Sequence, residues 1–349
     1  MIYFSLKRLL RGFFVLLGVI TLLFWLFQGL GDPDRIMMGQ SGDSSTLAAI
    51  KKDLHLDQPV WKQFLLYVND VSPLSFYQRK EMEVAGISGF FWGGERGLCL
   101  KLPYLGKSYH SKKEVAVLIA EALPGTILLA VTAILFATIV GILLGVLAAA
   151  KRGTIWDTAS MMASVIGVSM PSFFMAMLIA WIFGYLLSAY TGLNMTGSWR
   201  EVDFVTGHSH VNLKALILPA ITLGIRPLAI VAQLTRSLML EEMQKDYIQT
   251  AVAKGLTNSS IYFRHALRNA LNPVITAISG WFAELLGGAF FVEYIFGWKG
   301  IGKLTVDAVE QLDYPLVMGS VMVAASFFIV VGIITDVLYV RMDPRVRLS

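Results

Sequence analysis

Few side chains in this sequence have the type and spacing that chemistry needs. His208-Ser209-His210 puts two imidazoles close together, but such a pair alone is a weak metal signal. The remaining histidines are His55, His110 and His265, and Cys99 is the only cysteine, so no cysteine metal cluster or intrachain disulfide is available. Gly106-Lys107-Ser108 ends like a phosphate-binding loop. The full motif needs G-x-x-x-x-G-K-[ST], however, and its first position here is Lys101, with no apolar strand expected ahead of it. Recognition is better served than catalysis. The stretch Glu241–Asn272 (EEMQKDYIQTAVAKGLTNSSIYFRHALRNALN) is strongly polar between two long apolar runs. Arg226 and Glu284 are isolated charges inside apolar runs, where charge is costly and usually has a purpose.

The elements that must position these residues follow from composition. The chain is 56% hydrophobic and 15% charged, against about 25% charged in ordinary soluble domains. Uncharged runs occupy Gly12–Gly31, Ala122–Ala150, Thr158–Trp199 and Tyr314–Thr335. Roughly 20 apolar residues cross a bilayer as a helix, which satisfies its own backbone where water is missing. The expected fold is therefore an all-α polytopic membrane protein with six transmembrane helices, near 9–30, 123–149, 159–189, 215–239, 273–295 and 316–340. Its divisions are an N-terminal span (1–30), an extracytoplasmic cap (31–115) and a five-helix core (116–349) that contains the loop 241–272. The first span reads as uncleaved, because no small-x-small site precedes Asp32. Pro124 is expected in the first turn of its helix. Pro171, Pro219 and Pro227 predict kinks or breaks, Pro171 breaking the overlong third run. Gly141-x-x-x-Gly145 permits close helix packing. In the cap, Asp53–Val68 has the spacing of an amphipathic helix and Gly86–Gly97 reads as a glycine-rich aromatic loop.

Basic residues orient the spans. With the N-terminus inside, the inner segments hold 13 Lys and Arg against 4 in the short outer loops, as the positive-inside rule requires. Both termini are then cytoplasmic, the first periplasmic loop is long, and 241–272 is cytoplasmic. The net charge of +5 is spent on topology at span ends, so no nucleic-acid partner is expected. Arg226 precedes Arg236 by ten residues, which is about 15 Å along a helix and puts it near mid-bilayer, with Glu284 similarly deep. The two either line a pathway or form a structural ion pair, with Arg226 covering a kink at Pro227. Asp336, Arg236 and Glu293, near span ends, are expected to face headgroups or subunit interfaces.

Within the loop, Asp246–Lys254 places Ile248 and Val252 on one helical face, with Tyr247 and Ala251 alongside. Gly255 ends that helix. Asn258, Ser259 or Ser260 can cap the next, which carries His265, Arg268 and Asn269 toward Pro273. Small residues (Thr250, Ala251, Ala253, Gly255) allow a partner to approach closely. On pattern alone, docking element and headgroup-lying amphipathic loop weigh equally.

The same residues resemble the signature loop of binding-protein-dependent ABC importer permeases, E-A-A-x-x-x-G-x(9)-I-x-L-P. With Gly255 as anchor, Gln249-Thr250-Ala251 stands at E-A-A and His265-Ala266-Leu267-Arg268 at I-x-L-P. DYIQTAVAKGL followed by HALRNALNP is closer still to the dipeptide/oligopeptide/nickel branch of that family, and closest to its B-type dipeptide subunits. Gly31-Asp32-Pro33, Asp57-Gln58-Pro59, Lys151-Arg152-Gly153, Glu293-x-Ile295-Phe296, Gly300-x-Gly302, Asp313-Tyr314-Pro315 and Asp343-Pro344-Arg345 agree in order. Ser72 to about Leu105 is longer than the family's first outer loop.

The resemblance implies a non-catalytic permease subunit of the bacterial inner membrane, surrounded by membrane lipid. Its implied partners are a second, C-type permease subunit, two cytoplasmic ATPases and an extracytoplasmic solute-binding protein. ATP and magnesium belong to the ATPases, and no cofactor or metal to this chain. The implied coupling residues are Asp246, Tyr247, Thr250, Ala251, Lys254, Gly255 and Leu256, supported by His265, Arg268 and Asn269. Di- and oligopeptides are the implied cargo, with nickel or another small solute as the alternative. A stand-alone ion-coupled transporter would show an internal repeat and leaves 241–272 without a purpose. An intramembrane enzyme would need histidines within the spans rather than beside them.

Overall fold

The computed structural model describes residues 2–29, 58–79, 82, 89–202 and 208–342. His55, Asp57, Gly31-Asp32-Pro33, Asp343-Pro344-Arg345 and the start of the expected helix at Asp53 lie outside them. The chain divides into two units. One holds Met1–Leu9, Ala122–Lys303 and Ser326–Ser349, the other Leu10–Glu121 and Leu304–Ala325.

The fold is mostly helical. Among the described residues, four helical stretches are long and apolar enough to cross a membrane: Lys7–Gln28, Val115–Ala150, Lys214–Glu242 and Tyr314–Thr335. A fifth span is added if the bent pair Ile155–Ser169 and Ser172–Leu186 counts as one. The stretch expected at 273–295 is two helices, Leu267–Gly288 and Phe290–Ile295, and polar residues such as Arg268, Asn269, Asn272 and Glu284 dilute its apolar character.

In the first unit, α3 (Val115–Ala150, whose first residues belong to the second unit) runs for 36 residues. Pro124 therefore stands inside this helix and not in its first turn as expected. The helix reaches back to Val115 and sacrifices a single backbone bond at the proline. The turn at Gly153 leads to α4 (Ile155–Ser169). Pro171 breaks the run as expected, and α5 (Ser172–Ile179) departs at 114°. The cause is local: the ring of Pro171 forces Met170 into extended backbone, at φ −81° and ψ 135°. A π-helical segment, Ala180–Leu186, follows. The next helix, α6 (Ile217–Glu242), absorbs Pro219 in its first turn and Pro227 in its interior without ending. The small residues of α3 let α6 lie against it: a Cβ on Gly141 would stand 2.9 Å from the Leu228 carbonyl, and one on Gly145 2.6 Å from Thr235 Cβ.

The chain then makes α7 (Asp246–Ala253), a helical turn at Asn258–Ser260, a π-helical segment Ile261–Ala266, α8 (Leu267–Gly288) and α9 (Phe290–Ile295). α10 (Ile301–Glu310) and α11 (Tyr314–Met342) complete the order. The unit's larger core joins Leu129, Ala133, Leu218, Leu223, Val292 and Trp298, and a second core lies beneath α7.

The second unit departs from the all-α expectation. α1 (Ile2–Gly29) supplies its first helix and α2 (Val60–Val71) its second. β1 (Leu74–Gln78), β2 (Gly89–Gly93) and β3 (Arg96–Lys101) form an antiparallel sheet in the order β1-β3-β2. The Gly86–Gly97 stretch read as a loop thus contains β2 and the start of β3. Its aromatic run Phe90-Phe91-Trp92 favours extended backbone more than its glycines oppose it. β3 also places a strand ahead of Gly106, contrary to expectation, though it pairs antiparallel and Lys101 still occupies the motif's first glycine position. In the first unit a small ribbon, β4 (Arg200–Val202) with β5 (Ser209–Val211), adds two more strands.

Candidate functional site

α7 is built to sit on the ends of other helices. Ile248, 2% exposed, and Ala251 turn inward and join a core with Val146, Ala149, Met239, Ile261, Ala266 and Ala270. Val252 does not share that face as expected: it is 56% exposed. At 100° per residue the inward positions are 248 and 251, an i,i+3 pair, and 252 rotates outward. Asp246, Gln249, Thr250, Lys254, Gly255 and Leu256 also face out. Of the small residues expected to admit a partner, Ala251 is taken up by the chain's own core, while Thr250, Ala253 and Gly255 remain open.

The helix ends where Gly255 adopts φ +74°. Gly255 N–H donates to the Val252 carbonyl at 2.9 Å and Leu256 N–H to the Ala251 carbonyl at 3.3 Å, the paired bonds of a Schellman motif. A Cβ at Gly255 would meet nothing within 4 Å, so the glycine is required by backbone sign and not by crowding within the chain. Beyond it the cap is Thr257, not the expected Asn258, Ser259 or Ser260: the Thr257 hydroxyl accepts from Ser260 N–H at 3.4 Å. Counting the first helical residue one position earlier explains the difference.

A polar pin holds the start of α7. Tyr247 hydroxyl donates to Glu242 Oε2 at 2.5 Å, Lys245 Nζ lies 2.5 Å from Glu242 Oε1, and Asn269 Nδ2 donates to the Tyr247 hydroxyl at 3.0 Å. Burial, then the bond to Glu242, raises the Tyr247 pKa; the bond to Glu242 raises that of Lys245. Asn269 therefore supports α7 directly. His265 is half-buried and Arg268 is exposed. Glu242, the centre of the pin, was not singled out by pattern, although its i,i+3 spacing from Lys245 was a signal.

A second candidate lies in a cleft lined by Arg226, Glu284, Trp281, Met170, Ser172 and Thr222, among others. The break at Pro171 opens it. Arg226 and Glu284 share this cleft, yet among the described residues they form no ion pair; the Arg226 guanidinium stands 5.8 Å from the centroid of the Trp281 ring. The structural-pair reading therefore loses its contact.

Two charges expected at headgroups or subunit interfaces make bonds within the chain. Arg236 Nε and an Nη donate to Asp157 Oδ1 and Oδ2 at 2.6 and 2.8 Å, tying α6 to α4. Glu293 is fully buried: its carboxylate accepts from Thr126 Oγ1 at 2.8 Å, Gly302 N–H at 2.7 Å and Lys303 N–H at 3.2 Å. A Cβ on Gly300 would fall 2.3 Å from that carboxylate, which explains why the segment carries glycine there. For Asp336 the side chain lies outside the description.

Known proteins supply the context for this geometry. Residues 141–348 match the family described as binding-protein-dependent transport system inner membrane component. Residues 1–130 match the N-terminal family of binding-protein-dependent transport system membrane components. The chain is 36% identical over 371 residues to the dipeptide transport system permease protein DppB of Escherichia coli K12, covering 99% of each. It is 32% identical over 361 residues to the protein of the same name from Alkalihalophilus pseudofirmus, covering 99% of this chain and 100% of that one. Identity to the E. coli K12 glutathione transport system permease protein GsiC is 31% over 349 residues, 99% of each. Among solved structures, a chain of the inward-facing MetNI methionine ABC transporter aligns with a TM-score of 0.50 at 17% identity, over 65% of this chain and 97% of that one. This last likeness is one of fold.

Proposed function

The chain belongs to the binding-protein-dependent transport system inner membrane components, and on that premise we propose that it forms half of the pathway of an ATP-driven importer of short peptides. The chain crosses the bacterial inner membrane six times with both termini in the cytoplasm, α8 and α9 together making the fifth crossing. A long first loop, within 31–115, stands on the periplasmic side, and 116–349 is the permease core. A second permease subunit of C-type completes the pathway, a periplasmic solute-binding protein delivers cargo, and two ATPases drive it. ATP hydrolysis resides in those ATPases.

The observation that supports this reading is the two-sided nature of α7. Its inner face is fixed to the ends of α3, α6 and α8, and its outer face, from Asp246 to Leu256, is open. A helix so placed transmits a push from an outside protein into three helices at once. Nucleotide-driven movement of the ATPases would bias the spans between two states, which is what coupling requires. Arg226 and Glu284, unpaired with each other in one cleft, then line the pathway, where opposite charges suit the two termini of a peptide. The length-wide identity to two dipeptide permeases and a glutathione permease supports short peptides over nickel.

The test is uptake into cells or proteoliposomes that contain the chain with its partner subunits. Asp246→Lys is expected to abolish ATP-driven uptake and weaken co-purification of the ATPases while the permease stays folded. Full uptake by that variant would sink the coupling role. For the cleft, Arg226→Gln should impair free peptides more than terminally blocked ones; equal loss for both would make Arg226 structural.

A further inference from the structure

The three-stranded sheet of the second unit is built inside out. Register sets Leu74 opposite Leu100 and Phe76 opposite Leu98 on β1 and β3, and Phe90 opposite Leu100 and Trp92 opposite Leu98 on β2 and β3. Cross-strand partners lie on the same side of a sheet. Leu74, Phe76, Phe90, Trp92, Leu98 and Leu100 therefore make one continuous apolar face. It is open: Phe76 is 72% exposed, Phe90 64% and Trp92 63%. The other face carries Ser75, Cys99 and Lys101, all buried.

Polar bonds fix that arrangement. Ser75 hydroxyl donates to the Asn69 carbonyl at 2.6 Å, and the Asn69 amide brackets Phe76, accepting from its N–H at 2.8 Å and donating to its carbonyl at 3.1 Å. Lys101 Nζ donates to the Asp70 carbonyl, and Tyr77 hydroxyl to the Asp70 carboxylate. Turning the sheet over to hide its aromatics would break all of these. An apolar face this broad is rarely left in water.

The position of α2 indicates what covers it. Phe24 of α1 packs against Phe64 and Tyr67 of α2, with ring centroids 5.2 and 6.2 Å apart. Phe24 stands five residues before Gly29, the last residue of α1, or roughly 7 Å along the axis. α1 is one of the helices able to cross a membrane, so α2 is held beside the last turn and a half of a crossing helix, at headgroup depth. Only Ser72 and Pro73 separate α2 from β1. Exposed apolar side chains continue along this route, with Trp25 and Leu26 on α1 and Trp61 and Leu65 on α2. Aromatic side chains are favoured at this depth. A soluble protein that comes and goes would leave the face bare between visits; a leaflet is always present.

We infer that the apolar face of the β1-β3-β2 sheet is a lipid-contact surface, seated in the interfacial layer of the leaflet at the C-terminal end of α1. It moors the enlarged first loop to the bilayer. The inference rests on α1 crossing the membrane and not on the cargo or the ATPases.

Nitroxide labels at Phe76→Cys and Trp92→Cys test it, in the full chain placed in nanodiscs of phosphatidylcholine and phosphatidylglycerol. Both positions are exposed, so the label leaves the sheet's buried face alone; Cys99 is buried, and unsubstituted protein gives the labelling background. Glu95→Cys, at the exposed β2–β3 turn, is the aqueous control. Power saturation should give a ratio of oxygen to nickel-chelate accessibility several-fold higher at 76 and 92 than at 95. A ratio at 76 and 92 equal to that at 95 would mean the face is bare in water and overturns the inference. Exclusion of both reagents would mean a protein covers it, a second copy of this chain in this preparation, and overturns it as well. Either failure leaves ATP-driven uptake, the test of the coupling role, unaffected.

Discussion

Gly255 and Glu293 are two residues whose types are dictated by geometry. Gly255 holds φ +74° with open space where a Cβ would go. Gly255→Ala should therefore cost about 1 kcal/mol through the left-handed backbone alone, and Gly255→Asn less, because asparagine tolerates that region. If the glycine serves only its own chain, Gly255→Asn will keep near-normal uptake in a transport assay. If a partner's surface must pass close, both variants will stall uptake while thermal unfolding of the purified chain barely changes. Glu293 makes the opposite case. Its carboxylate takes up three donors in the interior, so Glu293→Leu strands them, at about 1–3 kcal/mol for each buried unsatisfied group. Glu293→Gln retains an acceptor oxygen and should lose far less. Unfolding of the detergent-solubilised chain should rank Gln well above Leu; equal losses would mean that the hydrogen bonds are not what holds the segment.

The elements show how far pattern carries. A polar helix–turn–helix at Glu241–Asn272, its stop at Gly255 and the break at Pro171 were all readable, because glycine and proline act through their own backbone and need no tertiary information. The face of α7 was read less well. Spacing of four joined Ile248 to Val252, but burial joins Ile248 to Ala251, since the ends of α3, α6 and α8 choose the face and none of them is encoded within α7. The β-strands at 74–101 were missed because their glycines are local signals while register with β1 is not. The correction changes what the variants should do. Ile248→Ala should undock α7 and cost about 2–4 kcal/mol. Val252→Lys should shift stability by no more than about 0.5 kcal/mol yet reduce ATPase co-purification, since 252 faces outward. The reverse ranking would place the docking surface on the other side of the helix. Alkaline pH probes the pin of the same helix. Tyr247 and Lys245 are both raised from ordinary values of 10.0 and 10.5. Their stabilisation is thus complete below those values and lost as pH climbs through the raised ones. Limited proteolysis within 246–256 should be flat from pH 7 to 9 and accelerate above about pH 10, and Tyr247→Phe should weaken that rise.

At the scale of the whole molecule, the proposed six crossings exceed the four helices and one bent pair that qualify by length and apolarity among the described residues. The deficit falls on α8, and its polar residues explain it. Asn269 belongs to the support of α7 through its bond to Tyr247, and Glu284 to the cleft it shares with Arg226, while Arg268 is exposed. A helix that serves a docking element at one end and a polar cleft in its middle does not look like a lipid-facing span, yet it must still cross if α7 and the C-terminus are on one side. Counting crossings by the charge bias puts Glu95 and Gly192 outside and Asn258 inside. Single cysteines at those exposed positions, in a background where the native Cys99 is buried, convert this into a measurement. A membrane-impermeant maleimide on intact spheroplasts should label 95 and 192 at once and 258 only after permeabilisation. Labelling of 258 from outside would remove α7 from the compartment where ATP is found, and the coupling role would fall with it. Labelling of 192 only after permeabilisation would instead turn the bent pair α4–α5 into a re-entrant excursion from the cytoplasmic side; α6 would then cross outward and carry α7 away from the ATP side, so the coupling role would fall by that route as well.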